Sequence, residues 1–343
     1  MQEVARRAGV ALGSVSHVLN DSAGVSEPLR DKVMQAIREL GYQPSQLARG
    51  LRTNRTTMIG MFIPDIINPF FPAVVRGAED VVYQNSYHLV LCNTDQDPRK
   101  EASYFKSLRS FLPAGVIVIP SMESDLDTLG PLPTVCVDRT PSGWGQDSVT
   151  VNNEAGAFDA VSLLLSMGHR VISMITGPQH YTNSVHRLQG MKRAMETAGL
   201  SLPPEYVQET SFTREGGRAS TMRLLSLIPR PTAIFAANDL IALGSLEAFR
   251  ESNLRCPEDI SLIGFDGLDF TEFTNPPLTT VYQPGYQIGA TAARLMINRI
   301  NGDESEPKRV ILDVELKIRN SVSRIQSKKR ASKSSGANSK SKA

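Results

Sequence analysis

Apolar positions in the first 41 residues recur at helical spacing. Val4, Ala5 and Ala8 form a short face broken by Gly9, and Val15, Val18 and Leu19 form a second that ends at Asn20-Asp21. A third face carries Leu29, Val33, Ile37 and Leu40. It opens after Ser26, an N-cap candidate, tolerates Pro28 in its first turn and stops at Gly41. These patterns predict an all-α head built on a minimal core. Pro44 then leads into a weakly helical stretch, Ser45 to Arg52, followed by the polar link Thr53 to Thr57.

Beyond that link the period changes. Short β-branched apolar runs (Met58–Pro64, Leu89–Asn93, Val116–Pro120, Thr134–Val137, Val171–Thr176, Ala233–Ala237, Ile260–Phe265) alternate with amphipathic helical stretches. The helical stretches are Ala73–Asn85, Glu101–Phe111, Ala155–Met167, Leu188–Ala198 and Leu240–Glu251. This βαβα order predicts parallel sheets with helices on both faces, joined by right-handed crossovers. A body of that length suits two doubly wound lobes better than one sheet. The expected organisation is a helical head over 1–44, a hinge and linker over 45–57, a two-lobed α/β body over 58–322, and a disordered Ser/Lys-rich tail over 323–343.

At 343 residues, 41% hydrophobic and 21% charged, the composition is that of an ordinary globular protein and excludes collagen-like or wholly disordered chains. No apolar run reaches the roughly 18–20 residues that cross a bilayer. The opening MQEVARRAGV has no charged-then-apolar signal pattern, so a cytoplasmic location is expected. Cys92, Cys136 and Cys256 are odd in number and widely spaced, which predicts reduced, buried thiols rather than disulfides or a zinc cluster.

The net charge of +2 conceals an asymmetry. Residues 1–57 carry net +3, residues 58–323 net −8 and residues 324–343 net +7. A basic head and tail around an acidic body suggest an anionic partner at one end, without saying that it is nucleic acid. The tail reads either as a nonspecific nucleic-acid arm or as a solubilising segment.

Polar residues in the body follow the strand ends: Asp65, Asp95, Asp138-Arg139, Asn238-Asp239 and Asp266. In open parallel sheets ligands bind beyond the carboxyl ends of the strands. These side chains are therefore expected to converge on one cleft, with Arg187 joining from a helix start. Each has a structural alternative, because Asp and Asn also favour N-caps and turns. Carboxylates, amides and an Arg fork suit a polyhydroxylated ligand, and Phe70 or Phe71 either stacks on a sugar ring or fills the core. Catalysis finds little support: GxSxG, HExxH, GxxxxGK[ST] and GxGxxG are all missing. His17, His88, His169, His180 and His186 have no spacing that suggests metal or triad work, and His88 and His169 read as structural. Neither a cofactor nor a metal is called for.

With these residues laid out, the chain resembles the lactose/galactose-repressor (LacI/GalR) family of bacterial transcription regulators over nearly its full length. The head carries VARRAGVALGSVSHVLN and VSEPLRDKVMQAIRELGYQPSQLARGLRT. The body carries IGMFIPDIINPFF, LCNTDQDPRKE, GVIVIPS, VCVDR, SMGHRVISMITG, HRLQGM, PTAIFAANDLIALG, PEDISLIGFDGLDF, PPLTTVYQP and LKIRNSV in order.

The resemblance implies a homodimer on a pseudo-palindromic double-stranded operator, controlled by a small-molecule effector, of carbohydrate type, bound between the two lobes. It makes Ala11–Leu19 the recognition helix of a helix-turn-helix. Leu12, Gly13 and His17 would read bases, and Ser14, Ser16 and Asn20 would steady phosphates or the helix. Ser45–Arg52 would be the hinge helix, with Ala48 and Arg52 beside DNA and Leu51 wedged into the minor groove. In the effector site it implies Asp65, Asn68, Phe70, Asp138, Arg187, Asn238, Asp239 and Asp266.

There are departures from the family pattern. The family usually places a few residues, including a Thr, before the stretch matching Glu3-Val4-Ala5; the expectation is either a mis-set start or a first helix without its usual N-cap and weaker operator binding. Ala11 stands where a Ser usually caps the recognition helix, a loss of about 1 kcal/mol. His17 replaces the usual Arg and cannot grip guanine with two donors. Gly13 offers no side chain to a base. Two other classes compete: a soluble sugar-binding protein without a DNA role, which the head argues against, and an α/β enzyme, which the missing nucleophile–base constellation argues against. Trp144 fits a lid, a dimer contact or plain surface equally.

Leu51→Ala is expected to weaken specific operator binding at least tenfold, the equivalent of part of the few kcal/mol of base unstacking that a wedge supports, while leaving effector affinity unchanged. Equal operator affinity for variant and parent in a gel-shift titration would contradict the wedge assignment.

Overall fold

The computed structural model describes residues 1–19, 24–42, 56–121 and 124–325. Asn20, the hinge stretch with Ala48, Leu51 and Arg52, and all of the tail beyond 325 lie outside the described residues.

In the head, α1 (Gln2–Ala8), α2 (Leu12–Leu19) and α3 (Glu27–Leu40) follow the three apolar faces. Gly9 and Gly41 close α1 and α3 in the left-handed conformation, at φ 64° and 56°, which only glycine adopts without cost. Val4, Ala5, Val15, Val18, Val33 and Ala36 form the shared core. The inward face of α3 is centred on Val33 and Ala36, so Leu40, expected inside, is left exposed in the last turn. Ser26 precedes α3 as read, yet its hydroxyl makes no capping bond; its carbonyl accepts from Leu29 and Arg30.

From residue 58 the chain runs β1 (Met58–Ile63), α4 (Phe70–Gln84), β2 (His88–Asn93), α5 (Pro98–Arg109), β3 (Gly115–Val118), β4 (Thr134–Val137) and β5 (Ser148–Val151). It continues α6 (Asn153–Ser166), β6 (Ile172–Thr176), α7 (Thr182–Thr197), β7 (Val207–Glu209), α8 (Arg214–Leu225), β8 (Ala233–Ala236), α9 (Asp239–Glu251) and β9 (Ser261–Asp266). The last elements are β10 (Thr279–Tyr282), α10 (Gly285–Ile300), β11 (Arg309–Leu312) and β12 (Glu315–Lys317).

One topology occurs twice. The first sheet has the order β2-β1-β3-β4-β5-β11 and the second β7-β6-β8-β9-β10-β12. Neighbouring strands from β2 to β5 and from β7 to β10 run parallel, and β12 pairs antiparallel with β10. Each sheet thus reverses strand order beside its first strand, at β1/β3 and at β6/β8, which are the switch points where such folds bind ligands. The first compact unit comprises Met1–Ile67, Phe71–Val149 and Gly285–Val310. The second comprises Asn68–Phe70, Thr150–Pro284 and the chain from Ile311.

Sequence periodicity anticipates the inner strands, whose runs GVIV, TVCV and AIFA are buried throughout because helices cover both faces. It does not anticipate β5, β7, β10, β11 and β12, each three or four residues long, nor α8 and α10. Within the second unit the end of the described chain is pinned at the amino end of the strands. Ser321 Oγ donates to the Leu262 carbonyl, and buried His169 bridges Thr232 Oγ1 at 2.9 Å and the Ser323 carbonyl at 3.0 Å. Burial pushes the His169 pKa down, in keeping with a neutral, structural imidazole. The three cysteines are free thiols, but only Cys136 is fully buried; Cys92 lies on the edge strand β2 and Cys256 in the turn before β9, both half-buried. Trp144 packs on the first unit's Phe62–Phe105 cluster and donates Nε1–H to the Asp147 carbonyl, so it is a core-edge residue.

Helix pairs cross where glycines bring backbones together. A Cβ on Gly289 of α10 would stand 1.8 Å from the Val74 carbonyl of α4, and one on Gly77 would stand 1.9 Å from the Tyr286 carbonyl. The α6–α7 and α8–α9 crossings use Gly190, Gly217 and Gly244 in the same way. Gly289→Ala is therefore expected to cost about 1–3 kcal/mol, lowering the thermal midpoint by several degrees. An unchanged midpoint in a denaturation scan would contradict this packing account.

Candidate functional site

The head exposes one helix end. In α2, Val15 and Val18 face the core, which turns Leu12, Gly13 and His17 outward and leaves Ser14 and Ser16 half-buried. Leu12 is 46% exposed, a large apolar side chain kept on the surface at the amino end of the helix. No side chain from Ala11 caps that end; its carbonyl accepts from Ser14 and Val15. An exposed amino-terminal helix face of this kind has the size and polarity to enter a DNA major groove.

The second unit collects polar groups at the carboxyl ends of its strands. Arg187 stands in the second turn of α7, 2% exposed. Its Nε donates to Asn153 Oδ1 at 2.7 Å, and Nη1 donates to the Ala237 carbonyl just beyond β8, at the switch point. The guanidinium lies 3.8 Å from the centre of the Phe265 ring and 3.9 Å from Asp266 Oδ1. Buried charge of this kind is stable only when paired and hydrogen-bonded. Asp266 ends β9 at φ 116°, a backbone state rare for a residue with a side chain, and its Oδ1 accepts from Gln283 Nε2 at 2.7 Å. Of the expected residues, the structure thus brings Arg187 and Asp266 together. It adds Asn153, Phe265 and Gln283, which strand-end reading missed. Gln283 carried a usable signal, being a polar residue wedged between the β-branched run TTVY and Pro284.

Asn238 and Asp239 have structural work. Asn238 Oδ1 accepts from the Ile241 N–H and caps α9, the alternative its residue type allowed. Asp239, expected at the ligand, has a fully buried side chain that is held by the protein. Oδ1 accepts from Thr280 Oγ1 at 2.6 Å and Oδ2 from the Leu268 N–H at 2.8 Å. It turns toward the sheet because Gly264, without a Cβ, leaves room there. Asp239 thereby anchors the loop that follows Asp266. Burial pushes its pKa up to about 7, against the opposing pull of these donors, the Gly267 N–H and the Arg319 charge.

The remaining expected residues lie near β1 and β4. Asp65 Oδ1 accepts from the Ile67 N–H, a local turn. Asn68, buried and part of the second compact unit, accepts from the Phe70 N–H at the start of α4, and Phe70 itself is buried. Asp138 is buried just beyond β4, at φ 65°. Asp95 is instead exposed and paired with Lys100 because it lies at the sheet edge beyond β2. Among the described residues no group of three or more His, Cys, Asp and Glu side chains is placed to hold a metal ion, and no helix is long and apolar enough to cross a membrane.

A helix-turn-helix head joined to a body of two sheets with a buried strand-end polar site defines a ligand-responsive DNA-binding regulator. Comparison with known proteins places the chain within that class. Residues 1–45 match the model of the bacterial regulatory proteins of the lacI family, and residues 161–322 match the periplasmic binding protein-like domain. The chain is 35% identical over 330 residues to the HTH-type transcriptional repressor PurR of Vibrio vulnificus (strain CMCP6), covering 95% of this chain and 99% of that protein. It is 37% identical over 328 residues to the ribose operon repressor of Escherichia coli (strain K12), covering 94% and 99%. Among solved structures, the transcriptional regulator CelR–cellobiose complex aligns with TM-score 0.73 at 33% identity, covering 93% of this chain and 98% of that one. The lac repressor dimer bound to operator and the anti-inducer ONPF aligns with TM-score 0.82 at 25% identity, covering 93% and 98%. The chain belongs to the lacI family and is a DNA-binding transcriptional regulator.

Asp239 yields a pH prediction. Between pH 4 and about 7 the unfolded carboxyl is ionised while the folded one keeps its proton, so the folded state binds more protons and this group's contribution to stability declines as pH rises. Asp239→Asn removes that slope. The unfolding free energy of wild type relative to the variant is expected to fall from pH 4 to about pH 7 and then level off; parallel curves in denaturant titrations would contradict it.

Proposed function

We propose that the protein is a homodimeric repressor whose grip on a pseudo-palindromic operator is set by a small carbohydrate-type effector. The observation that carries this reading is the pairing, in one chain, of an outward-facing α2 end (Leu12, Gly13, His17) with a buried Arg187–Asp266 site at a sheet switch point. Two-fold protein symmetry calls for two-fold DNA, with one head in each half-site. In the head, Leu12 and His17 contact base edges while Ser14, Ser16 and Asn20 support the backbone contacts. Ala48, Leu51 and Arg52 serve the minor groove between half-sites.

In the effector site Arg187 donates to ring hydroxyls and Asp266 accepts from them. Asn68 and Phe70 border the same ligand, with Asn238 shaping the floor through its cap. Asp239 acts through the loop it anchors. Asp65 and Asp138, at strand ends of the first sheet, are that unit's candidate ligand residues. Effector occupancy shifts the dimer between operator-competent and operator-incompetent states by its differential affinity for the two. The protein works where the chromosome is, in the cytoplasm, and neither cofactor nor catalytic step enters this account. Support comes from the repressor names of its relatives and from the sugar-bound and operator-bound structures it resembles.

A gel shift against genomic fragments is expected to retrieve a palindromic promoter site whose retention changes with a sugar. Arg187→Ala is expected to retain operator affinity within threefold and to lose the response entirely. Calorimetry showing normal ligand binding by the variant would remove Arg187 from the site, and failure of wild type to retain any fragment would remove the regulatory reading.

A further inference from the structure

Residues 324–343 carry seven Lys and Arg and no Asp or Glu. A solubilising role does not account for that charge. Residues 1–323 carry net −5 by themselves, and the tail takes the chain to +2, nearer to zero, where proteins associate more readily. After Ile325 the sequence holds only Lys, Arg, Ser, Ala, Gly, Asn and Gln. Such a segment has no apolar side chain with which to enter a membrane or to fill a pocket on another protein. Its means of binding are charge and hydrogen bonds to anionic oxygens.

The fold fixes where this charge begins. The Ile325 N–H donates to the Met167 carbonyl at 3.0 Å, and the Ser323 N–H donates to Ser261 Oγ at 3.1 Å. Both contacts lie on the amino side of the second sheet, so residue 325 stands at the end of the second unit opposite to the Arg187–Asp266 pair. The loops leading into β6, β8 and β9, three neighbours in that sheet, carry Arg170, Arg230 and Arg255, all exposed. Against them stand Glu258 and Asp259, and Asp259 is paired with Arg255 at 3.4 Å. With exposed Arg324 at the root, this end is basic within a body that is acidic as a whole, and the surplus runs on into the tail.

We propose that the amino-side end of the second unit and the tail together form a second DNA-contact surface, one that binds duplex phosphates without reading bases. The head already brings the chain to a duplex, so an arm on the same chain meets DNA at high effective concentration and needs little affinity of its own. Each phosphate that the arm neutralises releases condensed counterions, which makes the contact independent of sequence and steeply dependent on salt. The six Lys and Arg beyond Ile325 set its ceiling, a contribution of about 5 to the slope of log affinity against log salt. The acidic remainder of the body repels the same phosphates, which confines the contact to this end.

The test compares the full chain with two variants. One ends at Ile325; the other keeps full length with Lys328, Lys329, Arg330, Lys333, Lys340 and Lys342 replaced by Gln. Binding to a duplex of scrambled sequence is followed by fluorescence anisotropy over a series of salt concentrations. At the lowest salt both variants are expected to bind at least tenfold more weakly than the parent, with a salt slope shallower by about 3–5. Replacing Arg230 and Arg324 together by Gln in the parent is expected to flatten the slope by about 2. Affinity of either tail variant within threefold of the parent overturns the proposal, as does an unchanged slope in the Arg230–Arg324 variant. Tail-dependent sedimentation with phosphatidylserine vesicles, at a salt concentration where the duplex is not held, would assign the tail to a membrane surface and also overturn it. Equal thermal midpoints for parent and variants keep a folding defect from being scored as lost binding.

Discussion

A buried guanidinium must be satisfied on every side, and the second unit is organised around meeting that demand for Arg187. Asn153 comes from the start of α6, the Ala237 carbonyl from the end of β8, the Phe265 ring and Asp266 from the end of β9. Three separate elements are thereby tied to α7 at one point, the place where strand order reverses. Removing Asp266 leaves an uncompensated charge in a low-dielectric setting, at a cost of several kcal/mol. A group held at such expense is worth holding where it meets a ligand, since a preset donor need not reorganise on binding.

Support for that point extends outward in layers. Gln283 fixes Asp266 from β10, and Asp239 fixes the loop behind it through the Leu268 N–H and Thr280. Gly264 makes room for the Asp239 carboxylate, and Thr280 ties it to the next strand. None of these residues has to touch the ligand to matter. Their effect is to limit the orientations Asp266 can take, which is how a scaffold turns a flexible carboxylate into a selective one.

The sequence made much of this legible, for reasons that can be traced. Inner strands such as GVIV and AIFA announce themselves because burial on both faces forces continuous apolar runs. The head helices do so through their 3.6-residue period and their closing glycines. Strand-end position drew attention to Arg187 and Asp266, which the structure brings to within 3.9 Å of each other. The same rule does not say that Asp239 turns toward the sheet, because position along a strand does not fix a side chain's direction once a neighbouring glycine opens space. Asn153 and Gln283 stayed hidden since one opens a helix and the other follows a four-residue strand. Leu40 shows the limit of periodicity: the pattern continued, but the surface it would have packed against did not.

What joins the two ends of the molecule functionally is a free-energy coupling, and coupling is reciprocal. The most direct measurement is the affinity of the effector sugar for the full-length protein, free and saturated with its operator duplex, beside the operator affinity with and without the sugar. The account predicts that both affinities change, in the same direction and by the same factor, on the order of 5- to 150-fold. Sugar affinity that is identical on and off the operator would contradict it.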